Sequence, residues 1–332
     1  MMTIRDRLKS NRAWLLASAL GLAVLAGLSG CTSADAGTKV TLREGVSAGY
    51  TETRYPIVLV HGFLGFDNIG FFEYFHGIPA ALRSGRAMVF TPQLSAINST
   101  EARGEQLLLE VKRIIAVTGE DKVNLIGHSH GAPTARYVAS VRPDLVASVT
   151  SVGGVNKGSA ISDMLLGIAP PGSMSNGVLS VIADGIGALL SLLTGRRDLP
   201  QDWTAAQVSL STAGAARFNT AHPQGVPLSE CGEGAHEVDG VFYFSWSGAS
   251  NYTNILDPVD PLLAITGLVF GSAKNDGLVS SCSSRLGRVI RDDYPMNHAD
   301  EINQSLGIVN LFAVSPVSIY RQHANRLKGM GL

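Results

Sequence analysis

The pentapeptide Gly127-His128-Ser129-His130-Gly131 sets a serine between two glycines, each two positions away. That spacing fits the G-x-S-x-G nucleophile elbow, provided that a strand precedes it and a helix follows. The reason is steric. A sharp strand-to-helix turn holds its central serine at strained backbone angles, so the flanking positions must lack Cβ. The turn would lift the Ser129 hydroxyl above a sheet edge and set it at a helix N-terminus, where negative charge is favoured. Reading His128 and His130 as a metal-binding H-x-H pair fits less well, because it leaves both glycines unexplained.

A serine hydroxyl is a weak nucleophile at neutral pH and needs a histidine base that a carboxylate orients. In elbows of this kind the acid and then the histidine follow the serine along the chain. Four of the eight histidines lie beyond the elbow, at 222, 236, 298 and 323. His222 precedes a proline, His236 lies in a Gly/Glu loop, and His323 falls in a polar C-terminal helix. His298 sits in the turn-rich stretch Tyr294-Pro295-Met296-Asn297-His298-Ala299-Asp300. For the acid, Asp276 stands in Lys274-Asn275-Asp276-Gly277, where it could face a histidine. For a loop aspartate taken alone, capping its own turn is the better reading.

The elements needed to position these groups are legible in the apolar runs. Ile57–Val60 reads as a strand buried on both faces, as in a covered parallel sheet. Further strands are expected near Ala87–Phe90, at Val123–Ile126 directly before the elbow, at Leu145–Val152, at Val241–Trp246 and around Arg288–Ile290. Leu107, Leu108, Val111, Ile114 and Ile115 form a helical stripe within Thr100–Val117, and Ala132–Val141 reads as the helix after the elbow, stopped by Pro143. Strand–helix alternation predicts an α/β layer fold with a mostly parallel sheet between helices. Residues 54–332 make up this body.

The chain has 332 residues, 45% of them hydrophobic and 16% charged, with a net charge of −1. This composition excludes intrinsic disorder and offers no basic stripe for nucleic acid. The N-terminus reads as an address. Arg5, Arg7, Lys9 and Arg12 precede the apolar run Trp14–Leu28, which is too short to span a bilayer and matches an export signal over residues 1–30. Leu28-Ser29-Gly30-Cys31 resembles a bacterial lipobox, which makes Cys31 a candidate for lipidation. Ala34-Asp35-Ala36 offers a rival cleavage site. The product is then a surface-anchored lipoprotein or a secreted protein, exported in both cases, with residues 31–53 as a polar tether. In an oxidising compartment the two remaining cysteines, Cys231 and Cys282, are expected to pair.

Four ordered motifs together resemble the true lipases of Pseudomonas and Burkholderia, bacterial lipase family I, subfamilies one and two. They are Tyr55–Asp67 with its His61-Gly62-Phe63, the elbow, Asn275–Val279, and Asn297–Gln304. The resemblance covers about residues 54–330 and implies the α/β-hydrolase fold. It implies a triad of Ser129, Asp276 and His298, with the amides of Phe63 and His130 as the oxyanion hole. Family members often carry Met or Leu in place of Phe63. It further implies a structural Ca²⁺ held by the carboxylates of Asp257 and Asp300 and the carbonyls of Gln304 and Ile308. It supports the Cys231–Cys282 bridge, and it implies a dedicated foldase as folding partner.

Residues 160–195 are nearly uncharged, with only Asp163 and Asp184, and carry Pro170-Pro171-Gly172 as a hinge. Such a stretch is either a buried core helix or a lid over the site that opens at a lipid interface. The related lipases carry their lid here, so membrane contact is expected only through the lid or an N-terminal lipid. A lid favours hydrolysis of long-chain triacylglycerols. The alternatives are a carboxylesterase for short soluble esters and a non-catalytic lipid-binding lipoprotein.

Overall fold

A computed structural model describes residues 49–65, 68–69, 72–167 and 199–332. The signal, Cys31 and most of the tether lie outside the described residues, as does the lid region from 168 on. The strands are β1 (Ile57–Val60), β2 (Asn68–Ile69), β3 (Phe72–Glu73), β4 (Val89–Phe90), β5 (Val123–His128), β6 (Val146–Val152), β7 (Glu237–Val238), β8 (Val241–Gly248) and β9 (Arg288–Tyr294). Seven of them form one sheet in the order β4-β1-β5-β6-β8-β7, with β9 also on β8. Only β7 runs antiparallel; β2 and β3 make a separate hairpin.

Alternate residues of β1 feed opposite layers. Ile57 and Leu59 pack into a core shared with Ile78 and Leu82 of α1 (Ile78–Ser84), whereas Val58 and Val60 join Leu107, Val111 and Ile114. The latter three lie on α2 (Thr100–Thr118), which Ser99 caps by accepting from the Ala102 amide at 3.1 Å. Helix α3 (Gly131–Val141) follows the elbow, and α4 (Ala160–Leu165) opens the segment read as a lid. Helices α5 (Trp203–Leu210), α6 (Thr212–Ala221), α7 (Asp260–Gly267), α8 (Ser281–Ser284) and α9 (Pro316–Gly329) complete the layers. The expected mostly parallel sheet between helices is what the chain forms.

Strand ends differ from the sequence reading in one direction. β5 runs through Gly127 to His128, β8 to Gly248 and β9 to Tyr294, each beyond its expected end. Ladder pairing extends these strands past the apolar runs, since Gly127 and His128 pair with Ser151 and Val152 of β6. The end of the tether is also part of the body. Thr51 and Thr53 are buried, the Thr51 amide donates to the Gly85 carbonyl, and the Arg54 amide donates to the carbonyl of Leu332. A small polar residue such as Thr51 looks like linker in sequence, yet its amide and hydroxyl hold the carbonyls of Gly85 and Leu82 at the end of α1. Among the described residues no helix is long and apolar enough to cross a membrane.

Candidate active site

Ser129 stands at φ 56°, left-handed backbone that costs an ordinary side chain energy and persists only where the surroundings enforce it. The enforcement comes from both glycines. A Cβ on Gly127 would strike the Gly131 backbone, and one on Gly131 would strike the Val60 carbonyl of the neighbouring strand. The Ser129 amide donates to the Val152 carbonyl at 3.0 Å, fixing the turn to β6.

Ser129 and His298 line the same cavity of about 270 Å³, walled mainly by apolar side chains that include Phe63, Leu165, Leu210, Leu262 and Val279. His298 Nδ1 lies 2.8 Å from Asp276 Oδ2. The other oxygen of Asp276 accepts from the Leu278 amide at 2.9 Å and the Val279 amide at 2.8 Å. Asp276 is fully buried, and its own carbonyl accepts from the His298 amide at 2.8 Å. An ionised acid so placed keeps the imidazole proton on Nδ1 and leaves the Nε2 lone pair for the cavity. Ser129 Oγ and His298 Nε2 are not hydrogen-bonded to each other; both residues open on the cavity.

The loop after β1 crosses directly over Ser129: a Cβ on Gly62 would lie 2.6 Å from the Ser129 Cβ. Its position is over-determined. The His61 ring accepts from the Leu94 amide at Nε2 and donates from Nδ1 to the Gly62 carbonyl, and buried Arg103 donates to the carbonyls of His61 and Ser95. The amides of Gly62, Leu64 and Gly65 all have acceptors. The amides of Phe63 and His130 have none among the described residues, so two donors beside the serine remain unspent.

Asp300, two residues after His298, lies close to two further acids, Asp257 and Asp260. Asp257 and Asp300 are buried, and Asp257 Oδ2 and Asp300 Oδ1 have no hydrogen-bond donor. Burial, together with the nearby charges of Asp260 and Asp257, pushes the Asp300 carboxyl up to about 7; burial raises Asp257 as well. Asp260, which the sequence did not single out, uses its carboxylate to hold the Thr253 and Asn254 amides and the Asn297 side chain at 2.5–2.6 Å. The Gln304 side chain donates to the carbonyls of Glu73 and Tyr74, while the Ile308 carbonyl accepts no hydrogen bond among the described residues. Unpartnered buried carboxylate oxygens are the donor set of a hard divalent cation such as Ca²⁺.

His128, His298 and Glu301 also bring ligand atoms within 4.8 Å of one another. Their nitrogens are engaged otherwise: His128 Nε2 contacts the His298 carbonyl at 3.1 Å, and His298 Nδ1 contacts Asp276. Glu301 is, with Asp260, a residue that sequence reading missed. It is buried, accepts from the Gly248 amide at 2.6 Å, and sets Oε2 3.2 Å from His128 Nε2 and 3.8 Å from His298 Nδ1. Burial and the neighbouring Asp276 charge push its carboxyl well above the usual range. Its place three residues after His298 was the one available signal. The Cys231–Cys282 disulfide is formed, tying the loop before β7 to α8, just beyond Asp276.

The chain belongs to the α/β-hydrolase fold family, whose sequence profile matches residues 55–292. Within it, a triacylglycerol lipase of Vibrio cholerae is 60% identical over 284 residues, spanning 86% of this chain and 91% of that protein. A triacylglycerol lipase of Pseudomonas fragi is 45% identical over 288 residues, covering 84% and 98%. The resemblance to the Pseudomonas lipases is thereby borne out. Among solved structures, Bacillus licheniformis lipase BlEst2 in its mature form shares the fold at TM-score 0.52 and 21% identity, over 75% of this chain and 86% of that one.

Proposed function

We propose that this chain is an exported triacylglycerol lipase working through an acyl-enzyme on Ser129. The observation that carries the reading is one cavity holding Ser129 and His298, with Asp276 bonded behind the histidine and two unspent amides beside the serine. In the first step Ser129 Oγ attacks the ester carbonyl while its proton passes to His298 Nε2. The amides of Phe63 and His130 receive the charge that develops on the carbonyl oxygen, each such donor contributing roughly a hundredfold or more in rate. Collapse expels the alcohol, which takes the proton from Nε2. Water activated by the same nitrogen then releases the acid.

The apolar walls of the cavity suit an acyl chain, and the stretch 160–195, with only Asp163 and Asp184 charged, suits a lid. A Ca²⁺ bound by the Asp257 and Asp300 carboxylates and the Gln304 and Ile308 carbonyls would supply positive charge that pins the loop carrying His298. Export rests on the N-terminal signal, with Cys31 as a lipid attachment point, and the kinship with family I lipases points to a foldase partner. The test is Ser129→Ala with emulsified triolein and dissolved p-nitrophenyl butyrate as substrates. Loss of both activities, together with loss of fluorophosphonate labelling in a folded variant, is expected. Near-normal turnover by Ser129→Ala overturns the assignment.

A further inference from the structure

Along the wall of the cavity, which Tyr74 and His128 both line, runs a series of buried hydrogen bonds that the ester chemistry itself does not use. The Gly62 amide donates to the Tyr74 hydroxyl at 3.0 Å, and that hydroxyl lies 2.8 Å from His128 Nδ1. His128 Nε2 lies 3.1 Å from the carbonyl oxygen of His298. The direction of each bond follows by elimination. The two groups that face Nε2 are that carbonyl, which has only lone pairs to offer, and Glu301 Oε2 at 3.2 Å, so Nε2 carries the proton. Burial, with His298 beside it, holds His128 well below its usual value and hence neutral. Nδ1 is then an acceptor, so the Tyr74 proton points to it, and the Tyr74 oxygen receives the Gly62 amide.

We propose that Tyr74 is a positioning residue that couples the oxyanion loop to the backbone of His298, through His128. The stakes are geometric. A Cβ on Gly62 would lie 2.6 Å from both the Ser129 Cβ and the Tyr74 hydroxyl oxygen, so the loop is gripped between nucleophile and tyrosine. Phe63, whose amide is to meet the developing oxyanion, is the next residue. Donors of this kind work only when held within a few tenths of an ångström of the charge they stabilise. The tyrosine ring is fixed independently by edge contacts with His61 and Phe75. Tyr74→Phe therefore keeps the packing and removes only the bridging hydroxyl.

The proposal rests on the acyl-enzyme reading of Ser129, which fluorophosphonate labelling of the wild type tests separately. For Tyr74→Phe on dissolved p-nitrophenyl butyrate, kcat is expected to fall about tenfold with KM within roughly twofold. The inhibition constant of a boronic acid, whose tetrahedral adduct fills the oxyanion hole, is expected to rise by the same factor. A merely structural role would move KM and thermal stability together and leave no such parallel. In the wild type, ¹⁵N shifts of His128 are expected to report the Nε2–H tautomer. Wild-type protein that labels normally, with kcat and boronate affinity unchanged in Tyr74→Phe, overturns the coupling. So does an Nδ1–H tautomer at His128, and that measurement holds even if the variant fails to fold.

Discussion

Two carboxylate environments, one at Asp276 on the His298 ring and one around Asp300 two residues further along the chain, are built on opposite plans. Every oxygen of Asp276 is occupied: Oδ1 takes two backbone amides and Oδ2 takes the histidine. Asp257 and Asp300 are as deeply buried, yet each keeps one oxygen with no donor, and each faces other acids. A buried charge is tolerable only when it is paired or hydrogen-bonded. Around Asp276 the polypeptide supplies the partners itself. Around Asp257 and Asp300 it leaves a demand for positive charge that only a proton or a cation can meet. On the proposed reading, residues of one type serve chemistry in one place and loop anchoring in the other.

The largest effect that separates the two plans belongs to Asp276→Asn. It removes the carboxylate that fixes the histidine tautomer, and kcat is expected to fall by roughly 10³–10⁴. The thermal shift produced by added Ca²⁺ should be unchanged in that variant. An Asp276→Asn protein that keeps its rate but loses its calcium response would invert the comparison. Calcium removal comes next. With free ion at about a hundred times its dissociation constant, binding to the native state alone stabilises by about 2.7 kcal/mol. Melts with Ca²⁺ and with chelator should therefore differ by several degrees in the wild type. They should coincide in Asp257→Asn and Asp300→Asn.

How far each plan could be read in advance follows from how local it is. The elbow, β1, β5 and β6 write themselves in short stretches of chain, because glycine spacing and unbroken apolar runs are local consequences of a turn and a covered sheet. Asp276, His298, Asp257 and Asp300 emerged through motif resemblance, since Asp276 alone is an ordinary turn aspartate. Glu301 and Asp260 did not emerge. In sequence each is an acid near a short helix. Their burial depends on Gly248, Gly153 and Asn297, which lie between 37 and 148 residues away along the chain and meet them only in the fold. Tyr74 and His128 were invisible as a pair for the same reason, being 54 residues apart. The strands β2 and β3, two residues each, are too short to show any alternation.

A pH series sharpens the comparison further. With no cation, Asp300 has its carboxyl raised to about 7, against roughly 3.9 for a free side chain. A group raised on folding gives stability that is complete below the unfolded value and lost as pH climbs through the folded one. The cation-free protein should therefore weaken between about pH 4 and 7 on account of this group. Bound Ca²⁺ needs the ionised form, so its stabilisation grows across the same range. The difference in melting temperature with and without Ca²⁺ should be small near pH 5 and large near pH 8. A difference that stays flat with pH would place the ion elsewhere.

The smallest effect has the clearest sign. In cation-free protein near pH 8, Asp300→Asn removes a buried charge that faces two other acids, while its amide oxygen still accepts from the Asn297 amide, which Asp300 now receives at 3.2 Å. The new NH₂ group can only ease the field of oxygens around it. A gain of about 0.5–1.5 kcal/mol is expected, the ordinary net worth of a hydrogen bond. Asp276→Asn must do the reverse. Its NH₂ would meet either the His298 Nδ1 proton or the amides of Leu278 and Val279, donor against donor, with a cost of about 1–3 kcal/mol. Equilibrium unfolding of both variants in chelator reads the two signs directly. If Asp300→Asn destabilises as much as Asp276→Asn, the oxygens of Asp300 are satisfied by the protein after all, and the two environments are not built differently.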